Sequence, residues 1–159
     1  MMFYLPMRFY LKIAAAVVAA ALGAGACFAF ESGDSAVIVN SGSTNRAGFR
    51  IVVERSGNAV YSITRPRVYR RAGNAPAEPI RRTLPDALVR QFYSDLEAAT
   101  PLSALHGKAC PKSVSFGTVT TIEFGGEKSP DLSCPNAQNT HIQTLMGDTD
   151  KIVEMFHVN

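Results

Sequence analysis

The sequence predicts an α+β fold: an antiparallel sheet of about five to seven strands with two main helices packed on one face. Three observations predict it. Two stretches, 49–64 and 113–133, alternate apolar and polar residues around glycine-containing turns, as β-hairpins do. Two others, 85–99 and 138–157, set apolar residues at the i, i+3, i+4 spacing of a helix with one buried face. The chain that follows an N-terminal targeting segment, residues 30–159, has the length of a single domain.

Residues 1–29 read as a signal peptide. Arg8 and Lys12 form its basic start, and Ile13 to Ala24 is an alanine-rich apolar run of 12 residues. A membrane-spanning helix needs about 20 apolar residues, so this run fits a cleaved export signal. Met7 is an alternative start, because MRFYLK ahead of the apolar run is the more ordinary arrangement. Two cleavage points satisfy the small-residue rule, after Ala26 and after Ala29. The first leaves Cys27 at the N-terminus as a candidate lipidation site, although Ala24 stands where lipoprotein signals usually carry Leu. The second removes Cys27. Both place the protein outside the cytoplasm, periplasmic or extracellular, with a lipid anchor at Cys27 as the alternative. No transmembrane helix is expected in the mature chain.

After a leader, Ala36–Asn40 (AVIVN) is a short strand, and SGSTNRAG at 41–48 is a turn-rich connection. Phe49, Ile51 and Val53 point one way along the next strand, with Arg50 and Glu54 on the other side. Ser56-Gly57-Asn58 turns the chain, and Ala59–Thr64 returns with Tyr61 and Ile63 on one face. Residues 66–82 are an Arg- and Pro-rich connection, with Val68 and Tyr69 a short strand within it at most. Thr83 and Asp86 resemble a capping box, and Pro85 suits the first turn of a helix. Leu88, Val89, Phe92, Tyr93, Leu96 and Ala99 form that helix's apolar face, and Pro101 ends it. From Ser113, β-branched and aromatic residues dominate until Gly125-Gly126 supplies the turn; Glu127–Ser133 returns, as an edge strand because of Pro130. Ile142, Leu145, Met146, Thr149, Ile152, Val153 and Phe156 form the last helical face, weakened in the middle by Gly147 and Asp148, so that two short helices are an alternative.

Cys110 and Cys134 are expected to form a disulfide. Cleavage after Ala29 leaves these two cysteines, and an even count in an exported chain predicts pairing. Each precedes a proline, which favours extended backbone at the cysteine. The arms of the hairpin between them are unequal, so a bulge or turn near Gly117, or a loop holding Cys110, must absorb the surplus.

The GNAVY turn and strand at 57–61, the LP-x-ALVRQFYSDL helix at 84–96 and the KSVSFGTVTTI run at 112–122 resemble those of small bacterial secreted or lipoprotein-like proteins with paired hairpin-plus-helix units. The resemblance spans most of the mature chain. It implies a fold type and export, and no activity.

Charge is unevenly spread. Residues 46–90 hold ten arginines, no lysine and three acids, whereas residues 91–159 hold four lysines and eight acids. The densest run contains Arg65, Arg67, Arg70, Arg71, Arg81 and Arg82, a candidate patch for an anionic group or an acidic partner, since arginine grips carboxylate and phosphate in bidentate fashion. The bland reading is a solvated loop. Nucleic acid is not an expected partner, because the overall charge is modest and the chain is exported. Catalytic motifs are missing: no G-x-S-x-G elbow, P-loop, G-x-G-x-x-G, H-E-x-x-H or C-x-x-C occurs. His106, His141 and His157 are too scattered for a metal site, and the acid pair Asp148 and Asp150 fits a solvated helix face. No catalytic residue, cofactor or metal is therefore assigned. The expected function is an exported, non-catalytic module that binds a protein or an envelope component. The alternatives are an enzyme with a site built from scattered polar residues, and a structural envelope protein.

Overall fold

The computed structural model describes residues 34–64, 77–107, 110–112, 117–134 and 139–156. Six strands and two helices follow one another as β1 (Ser35–Asn40), β2 (Gly48–Glu54), β3 (Asn58–Thr64), β4 (Ile80–Thr83), α1 (Asp86–Ala98), β5 (Thr120–Phe124), β6 (Glu127–Lys128) and α2 (Thr140–Glu154), with one 3₁₀ turn at Leu102–Ala104. The strands form one antiparallel sheet in the order β4-β3-β2-β1-β5-β6. This is the expected α+β architecture, with β1 at the centre between the two hairpins.

The alternation of each strand becomes a row once the register is set. Ile122, Ile38, Ile51, Tyr61 and Ile80 lie directly opposite one another across five strands. Opposed residues share a face, so this row is one apolar stripe under the helices. Val89, Phe92, Tyr93 and Leu96 of α1, and Ile142, Leu145 and Ile152 of α2, are buried against that side. Each such side chain contributes roughly 1.5–3 kcal/mol on leaving water. Tyr93 also ties helix to sheet: its hydroxyl donates to the Val53 carbonyl at 2.7 Å and accepts from the Ala36 N–H at 3.1 Å.

The first hairpin forms as its pattern predicts, from Gly48 to Thr64. Three local expectations are corrected. The arginine-rich connection ends in strand β4, which pairs with β3 from Asn58↔Thr83 to Tyr61↔Ile80; only four residues pair, too few for alternation to stand out. Thr83 therefore belongs to the sheet, no capping box forms, and α1 starts after Pro85 without a side-chain cap. The second hairpin does turn at Gly125 and Gly126, both at positive φ, but its strand register holds only two residue pairs, Glu123↔Lys128 and Phe124↔Glu127. Beyond Lys128 the Ser129 hydroxyl accepts the Ile122 N–H at 2.9 Å, which replaces a ladder bond just before Pro130. The second expected helix does form: α2 is one helix that continues through Gly147, capped by the Asn139 side chain, which accepts the His141 N–H at 2.9 Å, and the alternative of two short helices is not realised. Buried anchors on both sides of Gly147 outweigh the cost of one helical glycine, about 1 kcal/mol. Val68, Tyr69 and residues 113–116 lie outside the described residues. Among the described residues no helix is long and apolar enough to cross a membrane.

Candidate functional site

α1 and α2 pack on one face, and among the described residues the other face of the sheet carries no helix. Its central row runs Lys128, Glu123, Val37, Val52, Val60, Arg81 across all six strands. Three half-buried valines occupy the middle and charges stand at both ends. Glu123 is held by Lys128 at 3.7 Å and by Arg50 at 3.8 Å, all three side chains being substantially exposed. At the β4 end lies a shallow depression of about 380 Å³, lined by Glu54, Asn58, Ala59, Val60, Arg81, Arg82 and Thr83. Its floor is fixed by the β2–β3 turn: Glu54 accepts hydrogen bonds from Ser56 at 2.9 Å and from Asn58 at 3.1 Å.

The predicted arginine patch is only partly placed. Arg65, Arg67, Arg70, Arg71 and the candidate lipidation site Cys27 lie outside the described residues. Arg81 and Arg82 both sit on β4, but on opposite faces. Arg81 faces Val60 on the open side and Arg82 faces Ala59 on the helix side. Among the described residues neither makes an ion pair within 4.0 Å.

Cys110 and Cys134 are joined, with their Cα atoms 5.8 Å apart. Cys110 lies outside the strands, ahead of β5, so the unequal arms need not form one ladder. A polar knot missed by sequence reading fastens the same corner. Asp131 accepts the N–H groups of Thr120 at 3.1 Å and Ser133 at 3.0 Å, and pairs with Lys112. Lys112 also donates to the carbonyl of Thr118 at 2.5 Å and to the Ser133 hydroxyl at 2.6 Å. Burial opposes charging Asp131, but the bonds from Lys112, Ser133 and Thr120 outweigh it and hold the carboxyl below its ordinary value. Asp131, Cys110 and Cys134 bring one oxygen and two sulfurs within 4.8 Å of one another. With the sulfurs bonded together and Lys112 against the carboxylate, that grouping works as a brace: neither sulfur is a thiolate, the form a metal needs.

The acids on α2 also depart from expectation. Asp150 is exposed, but Asp148 is only 2% exposed and is not part of a solvated face. Its Oδ1 meets Lys151 at 3.0 Å, while Oδ2 is buried without a hydrogen-bonded partner in the described geometry. Burial, with Asp95 of α1 adding to it, pushes the Asp148 carboxyl above its ordinary value. The signal was in the spacing: Asp148 falls on the stripe of Leu145, Thr149 and Ile152. Its position inside the helix pair, away from the open face, makes it part of the α1–α2 contact.

Arg55 completes the rim over the helices. Its guanidinium lies 4.3 Å from the Tyr93 ring centre and pairs with Glu97 at 2.6 Å. This is a stacked, outward-facing brace over a core tyrosine. Comparisons with models of known protein families, with curated proteins and with solved structures yield no match.

Proposed function

We propose that this is an exported binding module that engages a protein or an envelope component through the face of its sheet opposite α1 and α2. The observation that carries the reading is the row Lys128–Glu123–Val37–Val52–Val60–Arg81, apolar at its centre and charged at its ends. That is the composition of a recognition surface, where a desolvated centre supplies affinity and a charged rim supplies register. The cysteine pair is compatible with an oxidising, exported setting, which the N-terminal segment independently suggests.

The test is retention of the purified protein on isolated cell envelopes. Val52→Lys and Val60→Lys place a charge in the centre of the open row and should abolish retention. Gln91→Lys, on the exposed side of α1, should leave it unchanged. Equal retention of all variants, with unchanged circular dichroism, overturns the assignment of the open face.

A further inference from the structure

The two edges of the sheet are not equivalent, and the difference points to a mode of binding. At the β6 edge the strand is two residues long, the next N–H of its neighbour is taken by the Ser129 side chain, and Pro130 and the Asp131 knot follow. That edge is closed to another strand. The β4 edge is different. The Leu84 N–H donates to the Gly57 carbonyl at 2.9 Å, which makes Gly57 and Leu84 a hydrogen-bonded pair of the β3–β4 register. Such pairs alternate in an antiparallel ladder. Ala59↔Arg82 and Tyr61↔Ile80 are therefore the bonded pairs. The N–H and C=O groups of Arg81 and Thr83 point outward, and among the described residues no strand meets them.

We propose that β4 accepts an extended, acidic segment of a partner protein as a seventh strand. This rests on the binding-module reading and specifies its mode. Three features select the occupant. Outward N–H and C=O groups two residues apart are the template for strand addition. Arg81 and Arg82 project to opposite faces, so two consecutive acidic residues in the added strand, one up and one down, meet one guanidinium each. A second copy of this chain is disfavoured by the same charges, because pairing β4 with β4 sets arginine against arginine. Glu54 and Glu78 are the nearby acids in sequence and register; Glu54 is already engaged by Ser56 and Asn58, and Glu78 precedes the strand. The depression lined by Val60, Arg81 and Thr83 gives the added strand's open-face side chains a place to rest.

The experiment is fluorescence anisotropy of a labelled six-residue peptide, Thr-Val-Glu-Asp-Val-Thr, with the purified protein, compared with the same peptide carrying Lys-Lys in place of Glu-Asp. The acidic peptide should bind at least about tenfold more tightly. The double variant Arg81→Glu, Arg82→Glu should reverse that preference. Thr83→Pro keeps both arginines and every ladder bond to β3 but removes one outward N–H, and should weaken the acidic peptide. Equal affinity for both peptides overturns the proposal. So does binding unaffected by Thr83→Pro, which would reduce the effect to simple charge attraction. If Thr83→Pro keeps full envelope retention while Val52→Lys loses it, the edge proposal falls and the open-face reading stands. If the reverse holds, the open-face reading falls.

Discussion

Removing one oxygen from Tyr93 tests how helix α1 is fastened to the sheet. In Tyr93→Phe the ring keeps its edge contacts with Phe92, centres 5.4 Å apart, and with Phe124, 6.0 Å apart. What disappears is the hydroxyl between the Val53 carbonyl and the Ala36 N–H, in a site where both residues are fully buried. A buried polar group left without a partner costs about 1–3 kcal/mol. Ala36 and Val53 are directly opposite in the β1–β2 register, so the orphaned pair can close partly on itself. The expected loss is therefore near the low end of the summed range, about 2 kcal/mol in urea unfolding at pH 7. The hydroxyl also sets an alkaline signature. Burial first, against the Ala36 hydrogen bond and Arg55, pushes the phenol from 10.0 up to about 12. The neutral form is favoured in the folded state, so its contribution is complete below pH 10 and lost as pH rises toward 12. Tyr93→Phe should lack that phase; the smaller one from Tyr61, raised in the same direction by burial, should remain. A loss below about 0.5 kcal/mol, or an unchanged difference between wild type and variant from pH 9 to 12, would refute the bridging role.

Reduction of Cys110–Cys134 should lower stability by roughly 3.5 kcal/mol, the loop-closure value for about 25 residues, read from urea curves with and without a dithiol reductant; no shift in midpoint would show the bond to be idle. Asp148→Asn should raise the melting temperature at pH 7 and not at pH 3. The wild-type carboxyl is raised above 3.8, so the folded state holds the extra proton and stability falls as pH climbs from 3.8 through the folded value. Asp131→Asn should act oppositely: the lowered carboxyl stabilises above 3.8 and its contribution is lost as pH falls from 3.8 through the folded value, so the variant is weaker at pH 7 and the difference narrows on acidification below 3.8. Gly42→Ala should destabilise by about 2 kcal/mol or more, because Gly42 has φ +63° and an added Cβ would lie 2.3 Å from the Gly48 nitrogen; unchanged unfolding would contradict that geometry.

The fold class was legible because long periodic segments dominate it. Phe49, Ile51 and Val53 alternate cleanly, and Val89, Phe92, Tyr93 and Leu96 repeat at helical spacing; both patterns are consequences of which side is buried. Gly125-Gly126 was legible as a turn because both residues need positive φ. What was not legible depends on partners far away in sequence. Strand β4 exists because β3 offers it an edge; its own four residues, IRRT, carry one apolar side chain. The polar knot joins Lys112 to Asp131 and Asp131 to Thr120, contacts that no spacing rule describes. The opposite facing of Arg81 and Arg82 follows from strand alternation, and was invisible while the segment read as a loop.

The position of β1 explains why the open face is coherent. β1 is the first strand among the described residues yet sits inside the sheet, pairing with β2 on one side and β5 on the other. Each hairpin alone would be marginal in water; β1 supplies both with a neighbour and carries Val37 between Val52 and Glu123. Through this one strand, the arginine-rich half of the chain and the acid-rich half are set side by side in a single row. Arg50 of the first half reaches Glu123 of the second across β1, and the row keeps an apolar middle between its charged ends. The disulfide and the Asp131 knot then lock the acid-bearing end, and β4 at the basic end is joined to the sheet by four residue pairs without a covalent brace. A partner strand would thus meet an edge whose inner side is already fixed by four residue pairs to β3.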